Sequence, residues 1–405
     1  MHRYATLLIA SLASLSAGAV DVVAPRPDPR PVALVAGLED GPLKRELAAC
    51  TDDPVRRASF SLGHRGAPLH YPEHTRESYV AAAAMGAGVI ECDVTFTRDK
   101  QLVCRHAQDD LHTTTDILLT PLAARCVQPF RPAQFDAQGA LLAPAAAECR
   151  TSDITLAEFR TLRGKRDGFD PRARTVEGYV WGGTAAFDTR GPSTGTLMSH
   201  ADSIALFQQL GVQMVPELKQ PVVDMPYDGM TQPQFAQRLI DDYKAAGVPP
   251  AAVWPQSFNL ADILYWIEHE PAFGRQAVYL EDAESVQQLP DAAEFKHLQA
   301  QGIRIWAPPL FALLALDERG TIVPSSSARD ARAAGLELVA WSLERSGPLS
   351  PGRNGWYYQT IDAALHNDSD VLKVLDVLAR QAQVRAVFSD WPGTTTFYAN
   401  CTGLN

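Results

Sequence analysis

The sequence predicts an α/β fold, specifically a (β/α)8 TIM barrel with a large irregular insertion after the third strand. Short apolar segments rich in β-branched residues alternate with helical segments from residue 59 to residue 389. This alternation indicates a parallel sheet, and about eight such strands are enough to close a barrel. A doubly wound sheet is less favoured because no G-x-G-x-x-G motif follows the first strand.

The predicted strands are short apolar runs, and helical segments of good helix formers separate most of them. We expect strands at 59–63, 88–94, 101–105, 212–218, 252–258, 276–280, 303–307, 337–342 and 386–389. We expect helices at 76–85, 201–210, 232–246, 260–268, 291–301, 327–334 and 369–380.

Residues 107 to about 195 interrupt this alternation. They are rich in Pro, Ala and Gly, and only residues 155–162 predict a clear helix, which Thr155 would cap together with Glu158. So long an irregular segment is typical of a functional insertion.

The amino terminus has the features of a secretory signal. A short basic start, an apolar run and the small residues 17–19 predict a signal peptide at 1–19, and therefore export to the periplasm or the exterior. Residues 20–57 are expected to form an N-terminal extension or linker, and residues 58–405 the barrel domain. The apolar run is short for a membrane span, and no other segment approaches that length, so we expect no stable membrane insertion.

Six cysteines fit an oxidising compartment. Cys126 and Cys149 lie in the insertion, where a disulfide would tie down an irregular segment, and Cys50 and Cys401 flank the barrel, where a disulfide could join the chain ends. Cys92 and Cys104 lie inside predicted strands and are candidates for free core thiols. No pair has the spacing of a zinc site.

A formal charge of -11 and a pI near 5.4 argue against nucleic acid or an anionic membrane as the partner. An anionic small substrate remains compatible with this composition because a site can be locally positive. The sequence does not predict the oligomeric state.

Acidic residues at predicted strand ends indicate a metal site, because reactive groups of such barrels lie at the carboxyl ends of the strands. Glu91 and Asp93 are two residues apart on a strand and therefore point to one face, and Glu217 on another strand could supply a third carboxylate. Oxygen ligands of this kind suit one divalent cation, Mg²⁺ or Ca²⁺. In the alternative interpretation, the acids form ion pairs with Arg65 or Lys219.

Two histidines also follow apolar strands, His64 after the first and His106 after the segment 101–105. Imidazoles on either side of a phosphodiester could act as base and acid, since the pKa of histidine lies near neutral pH. A structural role is the alternative for each. Arg65 and Lys219 would provide local positive charge for a phosphate group.

Several motifs together resemble one family. The sequence resembles the H-R-G…P-E-N-T signature, the E-x-D pair and the H-D segment of the glycerophosphodiester phosphodiesterases, and further similar motifs follow in family order between about residues 59 and 395. The matching segments are 63–67 (GHRGA), 72–75 (PEHT), 91–93 (ECD), 105–109 (RHAQD), 153–158 (DITLAE), 216–219 (PELK), 256–258 (QSF), 339–342 (VAWS) and 387–391 (VFSDW).

The resemblance implies a (β/α)8 barrel that hydrolyses glycerophosphodiesters to glycerol 3-phosphate and an alcohol, and secreted members are similar in carrying an insertion. It implies a set of site residues, in which Glu91, Asp93 and Glu217 hold the divalent cation, His64 and His106 form the acid–base pair, Arg65, Lys219, Gln256 and Trp341 bind substrate, and Glu73 supports the site.

Two positions depart from the family pattern. His74 stands where the family usually has Asn, and Gln108 separates His106 from Asp109. The first departure puts in question how the turn around Glu73 supports the site, and the second what orients His106.

Two alternative functions remain open on the sequence. A phospholipase D-like enzyme acting on intact lipids would need an exposed apolar rim, for which the insertion offers aromatic side chains: Phe130, Phe135, Tyr179, Trp181 and Phe187. A non-catalytic barrel that only binds its ligand is the other.

Overall fold

The structure is a computed structural model, which describes residues 24–182 and 193–404. Eight parallel strands form a closed barrel, because the first strand pairs with both the last and the second. We number them β1 to β8 in chain order: Ala58–Gly63, Ala87–Phe96, Gln213–Leu218, Gln256–Ser257, Val278–Leu280, Ile305–Ala307, Glu337–Leu343 and Ala386–Ser389. The predicted (β/α)8 fold is confirmed.

A helix follows each barrel strand and packs on the outside. Gln232–Ala245 illustrates why these segments are helical: Thr231 and Gln234 form a capping box at its start, and its buried face repeats at helical spacing through Phe235, Leu239 and Tyr243. The eight helices are Arg76–Ala84, His200–Leu210, Gln232–Ala245, Leu260–His269, Ala292–Ala300, Ser326–Ala333, Val371–Asp376 (continuing as a π-helix to Ala382) and Pro392–Thr402. Short helices also occupy Pro271–Gly274 and Leu310–Leu313, and a hairpin joins Leu314–Leu316 to Ile322–Pro324.

Apolar side chains fill the barrel interior below the level at which polar residues begin. This inner cluster includes Leu62, Val89, Val215, Val339 and Phe388. Side chains two residues apart on a strand share a face, so the next inward residues along the same strands are polar or aromatic. The interior is therefore a packed apolar core with a polar layer above it at the carboxyl ends of the strands.

The predicted third strand is not part of the barrel. Leu102–Cys104 runs antiparallel to β2, and only the residues 97–101 separate the two strands. A parallel crossover needs a dozen or more residues. A connection as short as this one therefore forms a hairpin instead. The third barrel strand is Gln213–Leu218, and the insertion accordingly follows β2 and this hairpin strand.

The described part of the insertion has more regular structure than its composition indicates. Three short antiparallel pairs form within it or across its ends, Gln128–Arg131 with Ala146–Glu148, Gln134–Phe135 with Leu141–Ala143, and Arg163–Lys165 with Thr194–Thr196. The predicted capped helix is present as Leu156–Phe159, with the capping box of Thr155 and Glu158. The other helical turns are Leu111–Thr114, Ile117–Leu119, Pro121–Arg125, Thr151–Asp153 and Val176–Gly182.

The insertion also has its own small hydrophobic core. Tyr179 is buried in it, and Phe130 and Phe135 pack against it. Trp181 is 45% exposed, whereas Phe187 lies outside the described residues. Most of the aromatic residues that were candidates for an exposed rim are therefore used in packing.

The segment before β1 packs on the barrel. Helices Pro29–Gly37 and Pro42–Ala48 bury Leu34, Val35 and Leu47 in the main core, so this part of the expected extension is a structured layer. The predicted signal peptide at 1–19 lies outside the described residues. Among the residues that are described, no helix has the length and apolar character needed to cross a membrane.

All six cysteines form disulfides. Cys50–Cys401 and Cys126–Cys149 are the two pairings that the sequence favoured. The expectation that Cys92 and Cys104 are free core thiols is wrong, because the antiparallel hairpin brings their Cα atoms within 5.3 Å. This disulfide links β2 to the strand that leads into His106.

We predict that Cys50→Ser/Cys401→Ser lowers the free energy of unfolding by about 2–5 kcal/mol, because the disulfide fixes the N-terminal layer to the last helix. The matched control is Cys126→Ser/Cys149→Ser, whose pair is separated by 23 residues rather than 351 and should cost less. Denaturant unfolding measures both losses. An equal or larger loss in the control would contradict the prediction.

Candidate active site

The polar residues at the top of the barrel are placed by strand register. Gly63 pairs with Ile90 on one side and with Ser389 on the other, so His64 emerges between Glu91 and Asp390. The sequence predicted His64 and Glu91 as site residues, and the fold brings them together.

Three carboxylates meet at this end of the barrel. Glu217 on β3 is the register partner of Asp93 on β2, and Glu91 lies two residues earlier on the same face. One carboxylate oxygen from each residue lies within 4.8 Å of the others, and all three side chains are buried. The structure thus assembles the acidic triad that the sequence predicted.

Each acid has a defined set of polar partners. Glu91 accepts hydrogen bonds from the backbone N–H of Arg65 at 2.8 Å and from Nε2 of Gln256 at 2.7 Å. Glu217 pairs with Nζ of Lys219 at 2.6 Å. Gln256 is fully buried, and the contact that the structure gives it is to Glu91; its predicted contact with substrate stays a prediction.

The electrostatics of the triad fit a cation. Burial, reinforced by Asp93 and Glu217, raises the pKa of Glu91 well above its usual value, and burial also raises the pKa of Glu217 to about 7. Burial alone would raise the pKa of Asp93 too, but His74 and Lys219 hold it well below the ordinary range. Oδ1 of Asp93 is buried, and none of the described residues donates a hydrogen bond to it. Crowded carboxylates with an unpartnered buried oxygen fit one hard divalent cation.

His64 is oriented by groups on two neighbouring strands. Its Nδ1 lies 2.5 Å from Oδ1 of Asp390 and 3.0 Å from Oγ of Ser342. A carboxylate can only accept, so Nδ1 carries the proton and Nε2 is left unprotonated, 3.9 Å from Oε2 of Glu91. Burial lowers the pKa of His64 despite the opposing effect of Asp390, which keeps this ring neutral at neutral pH.

His106 reaches the site through the hairpin. The backbone N–H of Arg105 donates to the carbonyl of Asp93 at 2.8 Å, so the antiparallel strand returns His106 to the level of the acidic triad. Burial, together with the charges of Arg65 and Lys219, holds the pKa of His106 well below its usual value. The side chain of Gln108, which sets the chain apart from the family pattern, accepts from the backbone N–H groups of Val222 and Val223.

Arg65 connects the triad to Glu73. Its Nη1 donates to Oε2 of Glu73 at 3.0 Å, and its Nε lies 3.7 Å from Oδ2 of Asp93. Arg345 lies 3.7 Å from the same Glu73 oxygen and 3.3 Å from Asp390. Glu73 is therefore paired with cationic side chains outside the triad, and its supporting role stays a prediction.

Aromatic side chains form a wall beside the charged groups. Trp341, whose indole N–H donates to the carbonyl of Ala307, packs against Phe258, Trp356 and Tyr357 at ring-centroid distances of 5.7–5.8 Å. This aromatic wall (Phe258, Trp341, Trp356 and Tyr357) borders the site on one side, since Lys219 lies 5.8 Å over the Phe258 ring.

Sequence reasoning did not assign site roles to several residues that the structure brings here. Asp390, Ser342 and Arg345 surround His64 and Glu73, and burial raises the pKa of Tyr357 against the opposing charge of Arg65. Asp390 carried a usable signal, because it ends a strand two residues after the inward-facing Phe388. Arg345 and Tyr357 lie on the long loop after β7, where the sequence has no hydrophobic periodicity to indicate which side chains point into the site.

Comparison with known proteins agrees with this geometry. Residues 64–394 match the glycerophosphoryl diester phosphodiesterase family, which covers most of the chain. The chain belongs to this family. Membership makes it a phosphoric diester hydrolase, and the matched region begins at His64 and extends past Asp390, so it includes every site residue described above.

Individual relatives are similar to this chain over nearly all of their own length. The chain is 43% identical over 247 residues, or 59% of its length, to the whole of a protein of Arthroderma benhamiae named "Extracellular protein". A Silicibacter pomeroyi structure, solved as a "putative glycerophosphoryl diester phosphodiesterase", has a TM-score of 0.56 at 20% identity and covers 87% of this chain and 95% of that one. An Oleispira antarctica phosphodiesterase, solved in complex with the product sn-glycerol-3-phosphate, has a TM-score of 0.50 at 16% identity, covering 85% and 97%.

We predict that Glu91→Gln abolishes stabilisation by Mg²⁺ or Ca²⁺ without destabilising the cation-free protein, because it removes a charge that the two neighbouring acids oppose. In the unsubstituted protein, a cation at about 100 times its Kd should add about 2.7 kcal/mol of stability. Thermal unfolding in EDTA and in added cation measures the difference.

The control for this test is Glu281→Gln. Glu281 is a buried carboxyl just after β5 that accepts hydrogen bonds from Trp306 and the backbone of Ala283, outside the triad. The Glu281→Gln variant should keep the cation-induced rise in Tm. A Glu91→Gln variant that keeps that rise would show that the triad is not the cation site.

Proposed function

We propose that this protein is a metal-dependent hydrolase of glycerophosphodiesters, which it converts to glycerol 3-phosphate and an alcohol. The observation that carries the proposal is the buried triad of Glu91, Asp93 and Glu217 with His64 at 3.9 Å from it, in a chain of this family. A phosphodiesterase of the same fold has been solved with sn-glycerol-3-phosphate, which supports a small phosphodiester as substrate.

In this proposal the cationic side chains hold the phosphate. Arg65 can present two N–H groups to phosphate oxygens, and Lys219 adds a point charge. A divalent cation held by the triad would supply Lewis-acid stabilisation of the charge that develops on those oxygens. Both cationic residues are already held by acids, Arg65 by Glu73 and Lys219 by Glu217. Their side chains therefore lose little conformational freedom when the substrate binds.

The two histidines would transfer the protons. One takes the proton of the attacking hydroxyl, which belongs to water or to the glycerol of the substrate, and the other gives a proton to the leaving alcohol oxygen. His64 suits the acceptor role, because its Nε2 is unprotonated and Asp390 stabilises the charged ring. An anionic phosphate would offset the charges of Arg65 and Lys219, and so raise the pKa of His106 toward the range of a proton donor.

Export is part of the proposal. Three disulfides are typical of an oxidising compartment, and the relative with 43% identity is named "Extracellular protein". We infer that the mature protein acts in the periplasm or outside the cell.

The aromatic wall is an apolar surface beside the site, and it would suit part of an intact lipid. Trp181 is exposed on the insertion, and this observation favours hydrolysis of intact lipids as the second candidate function. Turnover of phospholipid vesicles at a rate comparable to that of water-soluble glycerophosphodiesters would favour the second candidate.

We expect His64→Ala and His106→Ala each to lower kcat/KM by roughly 10²–10⁴ on glycerophosphocholine. EDTA should remove the activity, and Mg²⁺ or Ca²⁺ should restore it. His269→Ala, on an exposed part of an outer helix, serves as the control and should retain full activity. Full activity in His106→Ala would remove that residue from the mechanism.

Asp390→Asn should lower kcat by about 10²-fold while changing KM little, because an amide can donate to Nδ1 of His64 and so favour the wrong tautomer. Steady-state kinetics on the same substrate measure the split between kcat and KM. Arg345→Gln removes another polar partner of Asp390 but leaves the imidazole contact, so its kcat should fall less. An equal effect in both variants would argue that Asp390 acts only through local packing.

A further inference from the structure

His74 occupies the position at which this chain departs from the family signature, and it contacts the triad directly. Its Nε2 lies 2.9 Å from Oδ2 of Asp93, and the ring is fully buried. On the other side of the ring, Nδ1 lies 3.0 Å from the hydroxyl of Tyr79, which is also fully buried.

These two contacts fix the orientation of the ring and, in its neutral form, the tautomer. The carboxylate of Asp93 can only accept, so Nε2 carries the proton and donates it. Nδ1 is then unprotonated and accepts the hydrogen bond from the phenol of Tyr79.

The consequence concerns the two oxygens of Asp93. Oδ2 is held by His74 and lies 3.7 Å from Nε of Arg65, whereas Oδ1 is buried and has no hydrogen-bond partner among the residues described. A carboxylate anchored through one oxygen cannot rotate to satisfy the other, so Oδ1 stays available.

We propose that His74 is a positioning residue for the cation site: it anchors Asp93 through Oδ2 and thereby keeps Oδ1 directed at the cation. His74 and Tyr79 are then outer hydrogen-bond partners behind the ligand Asp93, and the inference rests on the proposed cation binding by the triad. Outer partners of metal ligands typically account for about 10–100-fold in metal affinity.

Two substitutions at this position separate the role from simple packing. The amide nitrogen of Gln reaches the place of Nε2 of the imidazole, while that of Asn reaches only the place of Nδ1. His74→Gln therefore keeps a donor for Asp93, whereas His74→Asn leaves Oδ2 without one. We expect a metal Kd within about threefold of the original for His74→Gln and about 10–100-fold higher for His74→Asn.

Backbone conformation alone favours His74→Asn for stability. His74 has φ of 54°, in the left-handed region where Asn is several-fold enriched. In EDTA this preference offsets part of the cost of leaving the buried Oδ2 of Asp93 without its donor, so the two variants should differ less in Tm than in metal affinity. A residue that served only folding would change Tm without changing the metal Kd.

His200→Asn is the matched control. His200 is also a fully buried histidine, whose Nδ1 lies 2.9 Å from a carboxylate, Asp242, and whose ring packs edge-on against Tyr243, but this pair belongs to the outer helices. Its substitution should lower Tm and leave the metal Kd within about twofold of the original.

The experiment is calorimetric titration of chelator-stripped protein with Ca²⁺ and with Mg²⁺, together with Tm in EDTA for each variant. Tyr79→Phe is an independent test in case His74→Asn does not fold. It removes the phenol hydroxyl whose hydrogen bond fixes the tautomer of the His74 ring, so it should also raise the metal Kd. Unchanged affinity in folded His74→Asn, or in Tyr79→Phe if that variant alone folds, would overturn the role of His74. Absence of cation binding by the unsubstituted protein would overturn the triad as a cation site, and the role of His74 with it.

Discussion

The crowding of three buried carboxylates at one end of the barrel is the constraint on which the rest of the site depends. Glu91, Asp93 and Glu217 are held together by strand register, so their repulsion cannot be relieved by moving apart. Burial, reinforced by this repulsion, raises the pKa of Glu91 and Glu217, and nearby positive charge relieves the repulsion. Lys219 and Arg65 supply part of that charge, and a divalent cation would supply the remainder.

The same constraint explains why the polar groups form continuous chains of contacts. Arg65 joins Asp93 to Glu73, Arg345 joins Glu73 to Asp390, and Asp390 holds His64. Buried charges of this kind are tolerated only when they are paired and hydrogen-bonded. Each pairing also fixes the direction of a side chain, so the arrangement that offsets the cost of burial is the one that orients the catalytic groups.

The hairpin after β2 carries a second consequence for the site. Its antiparallel return sets Arg105 against Asp93, and the Cys92–Cys104 disulfide links the strand of the acidic triad to the strand that leads into His106. The carboxylates of Glu91 and Asp93 and the imidazole of His106 are thus carried by neighbouring strands. The insertion, which follows this hairpin, is held in place by its own core and by the Cys126–Cys149 disulfide.

The sequence by itself determined the barrel, most helix positions and the acidic triad, because alternation and two-residue spacing are local properties that the chain carries wherever it folds. Glu91 and Asp93 share a face in any strand, and His64 follows an apolar strand whatever its neighbours are. Direction and pairing between distant segments were decided only by the tertiary structure. A short apolar run does not state whether it pairs parallel or antiparallel, so residues 101–105 were assigned to the barrel, and Cys92 and Cys104 were expected to be free. For the same reason, the contacts of His74 with Asp93 and of Asp390 with His64 follow from register across the closed barrel, which no single segment encodes.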